Sequence, residues 1–200
     1  LVRKGDALRF ELTGTDATLT YVPHFSQHKE RYGIYFTFTD KASKENENEE
    51  KEWERIDTVQ PGYGQYENDG LHNMTEAGAG SVGTTAGGTS RAAKEGGSFS
   101  YTMEVNQDGT GLLIMFKNGD AGKGIRITVG DALVYETVLE RKGEEEYFTQ
   151  VVPVPEEILK CAEKRFFDCR ERRVLTFTFR GIDGKESAAV CQFLYTVKMD

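Results

Sequence analysis

The sequence has few of the residues that build disulfide frameworks or metal sites. Only three cysteines and three histidines occur among 200 residues. An odd number of cysteines in a chain of this size does not indicate a disulfide framework. Cys161 and Cys169 also lack the close spacing of a zinc knuckle. We therefore expect these two cysteines and Cys191 to be free, buried thiols.

Long apolar runs and an excess of basic residues are also missing. No apolar stretch approaches the roughly 20 residues that a membrane-spanning helix needs. Asp and Glu number 33 against 25 Lys and Arg, so the net charge is -8. A surface of this charge repels the phosphates of nucleic acids. We therefore expect neither a membrane nor a nucleic acid as a partner.

What the sequence does contain is a series of short strand patterns separated by glycine turns. In SFSYTMEV at 98–105 every second residue is apolar, which is typical of a strand with one buried face. IRITV at 125–129 alternates in the same way, and the continuous apolar run LLIMF at 112–116 indicates a central strand. Repeated short strands with turns at this spacing predict an all-β fold, an antiparallel jelly-roll-like β-sandwich.

One or two short helices interrupt the predicted strands. Pro155 opens the segment PEEILKCAEKRF, which has acidic residues in its first turn and is a short-helix candidate. The last two predicted strands, RVLTFTFRG and AAVCQFLYTVK, are joined by GIDGKES, which we interpret as a hairpin-like loop.

Composition divides the chain into three segments. Residues 1–40 are interpreted as the terminal strands of a preceding β-domain, or as extra strands docked on the same sandwich. Residues 41–58 are highly charged and predict a solvated helix or linker. Residues 59–200 form the predicted sandwich domain. Trp53 in the linker is either a sugar-stacking platform or an anchor that fixes the linker to the sandwich.

No motif indicates catalysis. GAGSVG at 78–83 has the glycine spacing of a dinucleotide-binding loop but lacks the strand before it and the helix after it. The many carboxylates single out no pair for glycoside hydrolysis. We therefore predict no catalytic residue, no cofactor and no metal site. Asp120 and Asp131 lie at glycine turns and are either turn residues or ligands of a structural calcium ion.

Several segments, in their order along the chain, resemble segments of the proteins of one enzyme family. YVPHFSQHKERYGIYF at 21–36 resembles the end of the middle β-domain of glycoside hydrolase family 127, the β-L-arabinofuranosidase-like proteins. KEWERID resembles the linker that follows there, and GQYENDGLHNM, GSVG, SRAAKEGGSFSYTMEV and YFTQVVPVPEEIL resemble landmarks of the C-terminal sandwich. The matching positions in the first segment are Pro23, Phe25, His28, Arg31, Tyr32, Tyr35 and Phe36.

The resemblance implies a non-catalytic C-terminal accessory region of a glycoside hydrolase. Its partner would be an upstream helical-barrel catalytic domain of the same chain, which the sandwich would brace. In that family the catalytic site lies on the barrel domain and consists of a cysteine nucleophile and a zinc ion. The three cysteines of this chain do not match that catalytic site. An oligo- or polysaccharide is a further expected partner. The alternative is a stand-alone protein-interaction module.

Six residues are the candidates for sugar contact, because an aromatic face beside polar groups is typical of such sites. They are Tyr63, Tyr66, Glu67, His72, Arg91 and Tyr101. Structural roles compete with this interpretation for three of them: Arg91 and Glu67 can form an ion pair, and Tyr101 can belong to the core.

Overall fold

The chain divides into two compact units, Leu1–Glu52 and Trp53–Asp200. The computed structural model describes residues 8–11, 18–21, 37–39, 53–85 and 88–199. In the first unit, the described residues form a three-stranded antiparallel sheet. Its strands, in sheet order, are β1 (Leu8–Glu11), β2 (Thr18–Tyr21) and β3 (Thr37–Thr39). Residues 22–36, which carry most of the first family resemblance and His28, lie outside the described residues.

The second unit is built almost entirely from strands. Its described residues include two one-turn helices, α1 (Gly64–Glu67) and α2 (Glu156–Leu159), with 3-10 turns at Asn118–Asp120 and Ile182–Gly184. The strands are β4 (Arg55–Val59), β5 (Thr75–Gly78), β6 (Ser81–Thr84), β7 (Ser90–Ala93), β8 (Gly97–Glu104), β9 (Thr110–Lys117), β10 (Gly124–Val129), β11 (Ala132–Val138), β12 (Tyr147–Pro153), β13 (Glu163–Phe167), β14 (Arg170–Arg180), β15 (Val190–Cys191) and β16 (Leu194–Lys198).

Within residues 53–85 and 88–199, these strands form three antiparallel sheets. A six-stranded sheet has the order β11-β10-β14-β8-β5, with β13 paired to β14. A four-stranded sheet has the order β12-β9-β16-β4, and β15-β7-β6 form a smaller third sheet. The fold is therefore the all-β antiparallel sandwich that the strand pattern predicted. β9, which contains LLIMF, is an inner strand of its sheet, as expected.

The core lies between the six-stranded and four-stranded sheets. Phe99, Tyr101 and Met103 on β8 are completely buried, and so are Ile114 and Phe116 on β9. The predicted alternation in SFSYTMEV is thus confirmed. Complete burial of such side chains stabilises a fold by about 1.5–3 kcal/mol each, so these two central strands supply much of the hydrophobic stabilisation.

The predicted linker extends too far along the chain. Residues 55–58 belong to β4, an edge strand that pairs with β16. An edge strand can expose polar side chains, and Arg55 and Thr58 are indeed exposed. The charged composition of residues 41–58 therefore led to the prediction of a helix or linker where the structure has strand β4. Residues 41–52 lie outside the described residues, and Trp53 is half-buried.

The helix predicted in PEEILKCAEKRF is much shorter than expected. Helix α2 ends at Leu159, and residues 163–167 form β13 instead. β13 and β14 make a hairpin whose two turn residues, Asp168 and Cys169, have positive φ angles of 51° and 60°. Such angles suit a tight two-residue hairpin turn. Pairing with β14 therefore overrides the local helix preference of this segment.

Two further predictions, the burial of all three cysteines and the hairpin-like loop at GIDGKES, are wrong. Cys191 is buried, but Cys161 and Cys169 are exposed, since they lie after α2 and in a hairpin turn. The segment GIDGKES does not form a hairpin loop, because β14 and β15 belong to different sheets. It carries the chain from the six-stranded sheet to the small one.

Candidate functional site

The candidate site is built around α1 and the turn before it. The turn contains Gly62, whose φ is 82°. A Cβ at Gly62 would lie 2.3 Å from the carbonyl oxygen of Ser90 and 2.7 Å from that of Thr84. Only glycine fits this close approach with a positive φ. The turn therefore packs directly against the end of β6 and the start of β7.

Glu67 at the end of α1 is completely buried and receives four hydrogen bonds. Arg91 donates from Nε to Oε1 at 2.6 Å and from Nη2 to Oε2 at 2.7 Å. The Tyr101 hydroxyl and the Gly62 N–H, the latter at 2.6 Å, also donate to Oε1. A buried carboxylate is tolerated only when it is paired and hydrogen-bonded in this way. We call Glu67, Arg91 and Tyr101 the Glu67 network.

The environment fixes the protonation state of each member of the Glu67 network. Burial raises the pKa of Glu67, but the hydrogen bonds from Arg91, Tyr101 and Gly62 outweigh it and leave the pKa below its ordinary value. The hydrogen bond to Glu67 raises the pKa of Arg91. Burial, together with the charge of Glu67, raises the pKa of Tyr101 far above its ordinary value. At neutral pH the network is a carboxylate, a guanidinium and a neutral phenol.

Arg91 extends the network to neighbouring strands. Its Nη1 donates to the Ser81 hydroxyl at 2.6 Å and lies 3.3 Å from Glu76 Oε1. Glu76 in turn accepts from the Ser81 N–H at 2.9 Å. Arg91 therefore ties α1 to β5, β6 and its own strand β7.

His72 forms a second buried polar cluster beside α1. Its Nε2 lies 3.1 Å from Asp57 Oδ1 on β4, and its Nδ1 lies 2.9 Å from Asp69 Oδ2 and 3.1 Å from the Tyr66 carbonyl oxygen. Burial lowers the pKa of His72, but the hydrogen bonds with Asp57 and Asp69 outweigh it and raise the pKa to about 9. The imidazolium therefore holds α1 against β4.

Two of the six sequence candidates reach the surface. Tyr63 is half-buried and Tyr66 is 48% exposed. Their ring centroids are 5.2 Å apart, with an angle of 39° between the planes. The other four candidates are buried. The structural alternatives are confirmed, since Arg91 pairs with Glu67 and Tyr101 belongs to the core.

A second aromatic pair was not found from the sequence. The rings of Phe193 and Tyr195 are nearly parallel, with an angle of 20° and centroids 5.7 Å apart. The Arg55 guanidinium carbon lies 4.4 Å from the centre of the Tyr195 ring. The segment CQFLYTV does contain a sequence signal for this aromatic pair, because Phe193 and Tyr195 alternate with Leu194, which is buried.

The sandwich domain carries the similarity to known proteins. Residues 52–172 match the model of a family described as "Family of unknown function (DUF6805)", which spans more than half of the chain. The chain belongs to this family. Among solved structures, it is similar to a carbohydrate-binding module (CBM6cm-2) from Cellvibrio mixtus lichenase 5A in complex with cellotriose. The TM-score is 0.41 and the identity 11%, with 73% of this chain and 99% of that chain covered. No curated protein matches the chain.

In this DUF6805 member the aspartates considered for calcium differ in their surroundings. Asp120 Oδ2 accepts from the Ala189 N–H at 2.9 Å and Oδ1 lies 3.2 Å from Lys123 Nζ, so both oxygens have partners. Asp131 is exposed in a turn. Within the part of the chain that the structure describes, no group of three or more His, Cys, Asp or Glu side chains is arranged to hold a metal ion. No helix among the described residues is long and apolar enough to cross a membrane.

Proposed function

We propose that this chain is a non-catalytic module that contacts carbohydrate through Tyr63 and Tyr66. The observation that carries the proposal is the position of this pair at α1, whose last residue, Glu67, is fixed in the core by four hydrogen bonds. The exposed Tyr66 ring and the half-buried Tyr63 ring are therefore attached to a rigidly held helix.

A rigid aromatic pair suits sugar binding for two physical reasons. The apolar C–H face of a sugar ring packs on an aromatic ring, and the phenol hydroxyl can pair with sugar hydroxyls. Rings held in place before binding also lose less conformational freedom when the ligand arrives. The Glu67 network and His72 supply that pre-organisation.

The protonation states favour binding over catalysis. A general acid or base needs a proton that it can exchange near the working pH. Tyr101 is held in one ionisation state by burial and by Glu67, and Glu67 and Arg91 are held in theirs by their hydrogen bonds. His72 is enclosed by Asp57, Asp69 and a carbonyl oxygen. These contacts are within the protein and position α1.

The parent protein forms the second part of the proposal. The order of the motifs resembling glycoside hydrolase family 127 supports an accessory region that braces an upstream helical-barrel catalytic domain. Reading the coding sequence upstream of Leu1 tests this part. A barrel domain there would support it, and an unrelated sequence would remove the glycoside hydrolase parent while leaving sugar contact by Tyr66 to be tested separately.

Calorimetric titration with arabinose-containing oligosaccharides tests the binding claim. The wild-type chain should give a saturable heat, and Tyr66→Ala should weaken binding about fivefold or more, as expected for loss of an aromatic contact worth about 1 kcal/mol. Leu133→Ala is the matched control, because Leu133 is 54% exposed on β11. Flat traces for the wild type, or equal affinity for the Tyr66 variant, would contradict the proposal. Release of reducing ends would contradict the non-catalytic role.

A protein-interaction module is the second candidate. Phe166 favours it, because this side chain is 75% exposed on β13 next to the hairpin turn. Isolated exposed apolar residues are common, but a large ring on a hairpin is a suitable contact point. This candidate predicts that Phe166→Ala weakens association of the chain with a separate protein partner in a sedimentation experiment and leaves sugar titrations unchanged.

A further inference from the structure

We infer that the outer surface of the four-stranded sheet is an interface through which two copies of this chain form a two-fold symmetric dimer. This surface is turned away from the core, and its side chains come from β12, β9, β16 and β4. The inference uses neither Tyr63 nor Tyr66 and is therefore independent of the proposed function. We call this surface the β9 face, and its large apolar side chains are those of Leu113, Met115, Tyr147, Val151, Pro153, Phe193 and Tyr195.

The strand register determines which side chains share the β9 face. Successive residues of a strand point to opposite sides of the sheet, and Leu112, Ile114 and Phe116 on β9 are completely buried in the core. The residues between them, Leu113 and Met115, therefore point outward and are half-buried. One row of register partners crosses all four strands on this side, and it consists of Val151, Leu113, Tyr195 and Thr58.

The β9 face is apolar at its centre and polar at its rim. Leu113, Met115 and Val151 lie on the adjacent strands β9 and β12 and form the centre. Arg55 and Lys117 lie at opposite ends, and in the described part of this sheet no outward register position holds Asp or Glu. Protein interfaces have this composition, since Met, Arg and aromatic residues are enriched there and acidic residues are depleted. A chain with 33 Asp and Glu residues thus keeps one sheet surface free of them.

The outer surface of the six-stranded sheet provides a comparison within the same molecule. On β8 and β14 its outward side chains are mostly hydroxyls. The oxygens of Ser100 and Thr178 are 2.9 Å apart, as are those of Thr102 and Thr176, and Arg180 lies at the end of β14. This surface has the polar composition of a sheet that faces water. Of these two described sheets, the four-stranded one alone has an outer surface on which apolar side chains predominate, so this composition is not shared by every outer surface of the fold.

A two-fold axis makes the β9 face complementary to itself. If the axis crosses the strands between Leu113 and Met115, the register places Met115 of each copy over Leu113 of the other. Lys117 then lies over Gly111, which has no side chain. Apolar groups meet apolar groups and no cation of the face meets another cation, so a second copy satisfies the face as it stands. Symmetric dimers with such a shared patch are the most common assemblies of soluble proteins.

The size of the β9 face sets the expected strength of the dimer. The sheet has four strands, and β12 has seven residues. At about 4.8 Å between strands and about 3.4 Å per residue, the face measures roughly 19 by 24 Å. Two such faces bury about 900 Å² in projection, and more once their corrugated side chains are counted, which is near the lower end of specific interfaces. We therefore expect a dissociation constant in the micromolar range.

Sedimentation equilibrium of the full chain between about 1 and 200 µM tests the inference. The wild type should change from monomer to dimer over this range. Met115→Glu should weaken association by about tenfold or more, because it places an unpaired carboxylate in the apolar centre of the interface. Leu133→Glu is the matched control, since Leu133 is 54% exposed on β11 of the other sheet, and it should associate as the wild type does. A wild type that stays monomeric throughout, or a Met115→Glu variant that associates as strongly as the wild type, overturns the inference.

A mixture of two variants tests the position of the two-fold axis. Met115→Glu and Leu113→Lys should each associate weakly alone, since each places unpaired charges in the interface. Mixed in equal amounts, they should associate at a concentration about tenfold lower than either variant alone, because the axis places the new carboxylate over the new ammonium group. No recovery in the mixture overturns the two-fold arrangement. Thr149→Glu with Val151→Lys is the corresponding pair on β12 and replaces the first pair if those variants do not fold, since Thr149 is already exposed.

Salt separates apolar association from ionic association. Each copy has a net charge of -8, so raising the salt concentration from about 0.05 to 0.5 M should screen the repulsion between copies and should not weaken the dimer. Dissociation by salt would show that ion pairs hold the copies together and would overturn the apolar interface.

Failure of the dimer is distinguishable from failure of the proposed function. Tyr66→Ala should leave the monomer–dimer equilibrium unchanged, and Met115→Glu should leave the affinity for arabinose-containing oligosaccharides unchanged. A monomeric chain that binds these sugars would contradict the dimer alone. A dimer that gives flat sugar titrations would contradict the proposed role of Tyr63 and Tyr66 alone.

Discussion

Arg91 on β7 contacts both carboxylate oxygens of Glu67 on α1, with donor–acceptor distances of 2.6 and 2.7 Å. The two residues are 24 positions apart, and Glu67 is completely buried. A buried pair of this kind fixes the relative position of two elements at the cost of desolvating two charges. We expect the orientation of Tyr63 and Tyr66 at α1 to depend on that contact.

Breaking the pair from one side should be strongly destabilising. Arg91→Met leaves the Glu67 charge buried without its cation, so the free energy of unfolding should fall by about 3–5 kcal/mol. The double variant Glu67→Gln/Arg91→Met should lose less than the sum of the single losses, because it leaves no isolated charge. Chemical denaturation of the wild type, the two single variants and the double variant measures the coupling.

An exposed pair provides the control for this experiment. Arg126 and Glu136 form an ion pair on adjacent strands β10 and β11, with both side chains about one-third exposed. Arg126→Met should change the unfolding midpoint only slightly, because water solvates the remaining carboxylate. A loss as large as that of Arg91→Met would show that burial does not explain the effect.

Stability should fall with rising pH because of His72. The pKa of His72 in the folded chain is about 9, against an ordinary value of 6.5. Since the folded state binds the proton more tightly, the stabilisation is complete below pH 6.5 and is lost as the pH rises through 9. The loss amounts to roughly 3 kcal/mol. Urea denaturation between about pH 6 and 9.5 measures it, and His72→Gln should remove this dependence. If the free energy of unfolding of the wild type rises with pH over this interval, the proposed ionic contacts of His72 with Asp57 and Asp69 are contradicted.

Gly62 should tolerate no side chain. Its positive φ and the Ser90 and Thr84 carbonyl oxygens leave no room for a Cβ, so Gly62→Ala should lower stability and weaken sugar binding together. Gly96 has a similar φ of 68° but no heavy atom of the described residues near its Cβ position. Gly96→Ala should therefore cost only the backbone strain, about 1 kcal/mol. Thermal unfolding of both variants compares them, and equal losses would contradict the packing argument.

The stacked pair Phe99 and Phe179 should be central to the stability of the sandwich. Their ring centroids are 5.0 Å apart and both are completely buried. Phe179→Ala should lower the free energy of unfolding by about 3–5 kcal/mol, because it leaves a cavity between the sheets. Phe166→Ala, at a position that is 75% exposed, should change it little. Similar unfolding midpoints for the two variants would contradict the claim that Phe179 belongs to the hydrophobic core that stabilises the sandwich.

Much of the fold was predictable because its strands have one buried face. The alternation that buries Phe99, Tyr101 and Met103 is visible in the sequence, as is the apolar run of β9. β4 and β13 were missed, since both strands contain charged residues and their pairing partners lie far away or after a tight turn. Their conformation is set by tertiary pairing rather than by local preference.

The candidate site was predictable only in part. The sequence suggested the residues Tyr63, Tyr66 and Glu67 and the pairing of Glu67 with Arg91. It did not indicate that His72 would contact Asp57, 15 positions away, or that Arg55 would lie over Tyr195. Such contacts depend on the sheet register that brings β4 beside β16, and short-range patterns do not determine register between distant strands.

A nuclear magnetic resonance titration of the ¹⁵N-labelled chain with arabinose-containing oligosaccharides tests the central claim most directly, because it reports which residues meet the ligand. The account predicts saturable shifts concentrated at residues 62–67 and absent from the exposed strand β11. Shifts confined to other surfaces, or no shifts at millimolar ligand, would contradict the claim that the tyrosines held by the Glu67 network form a sugar-contacting surface.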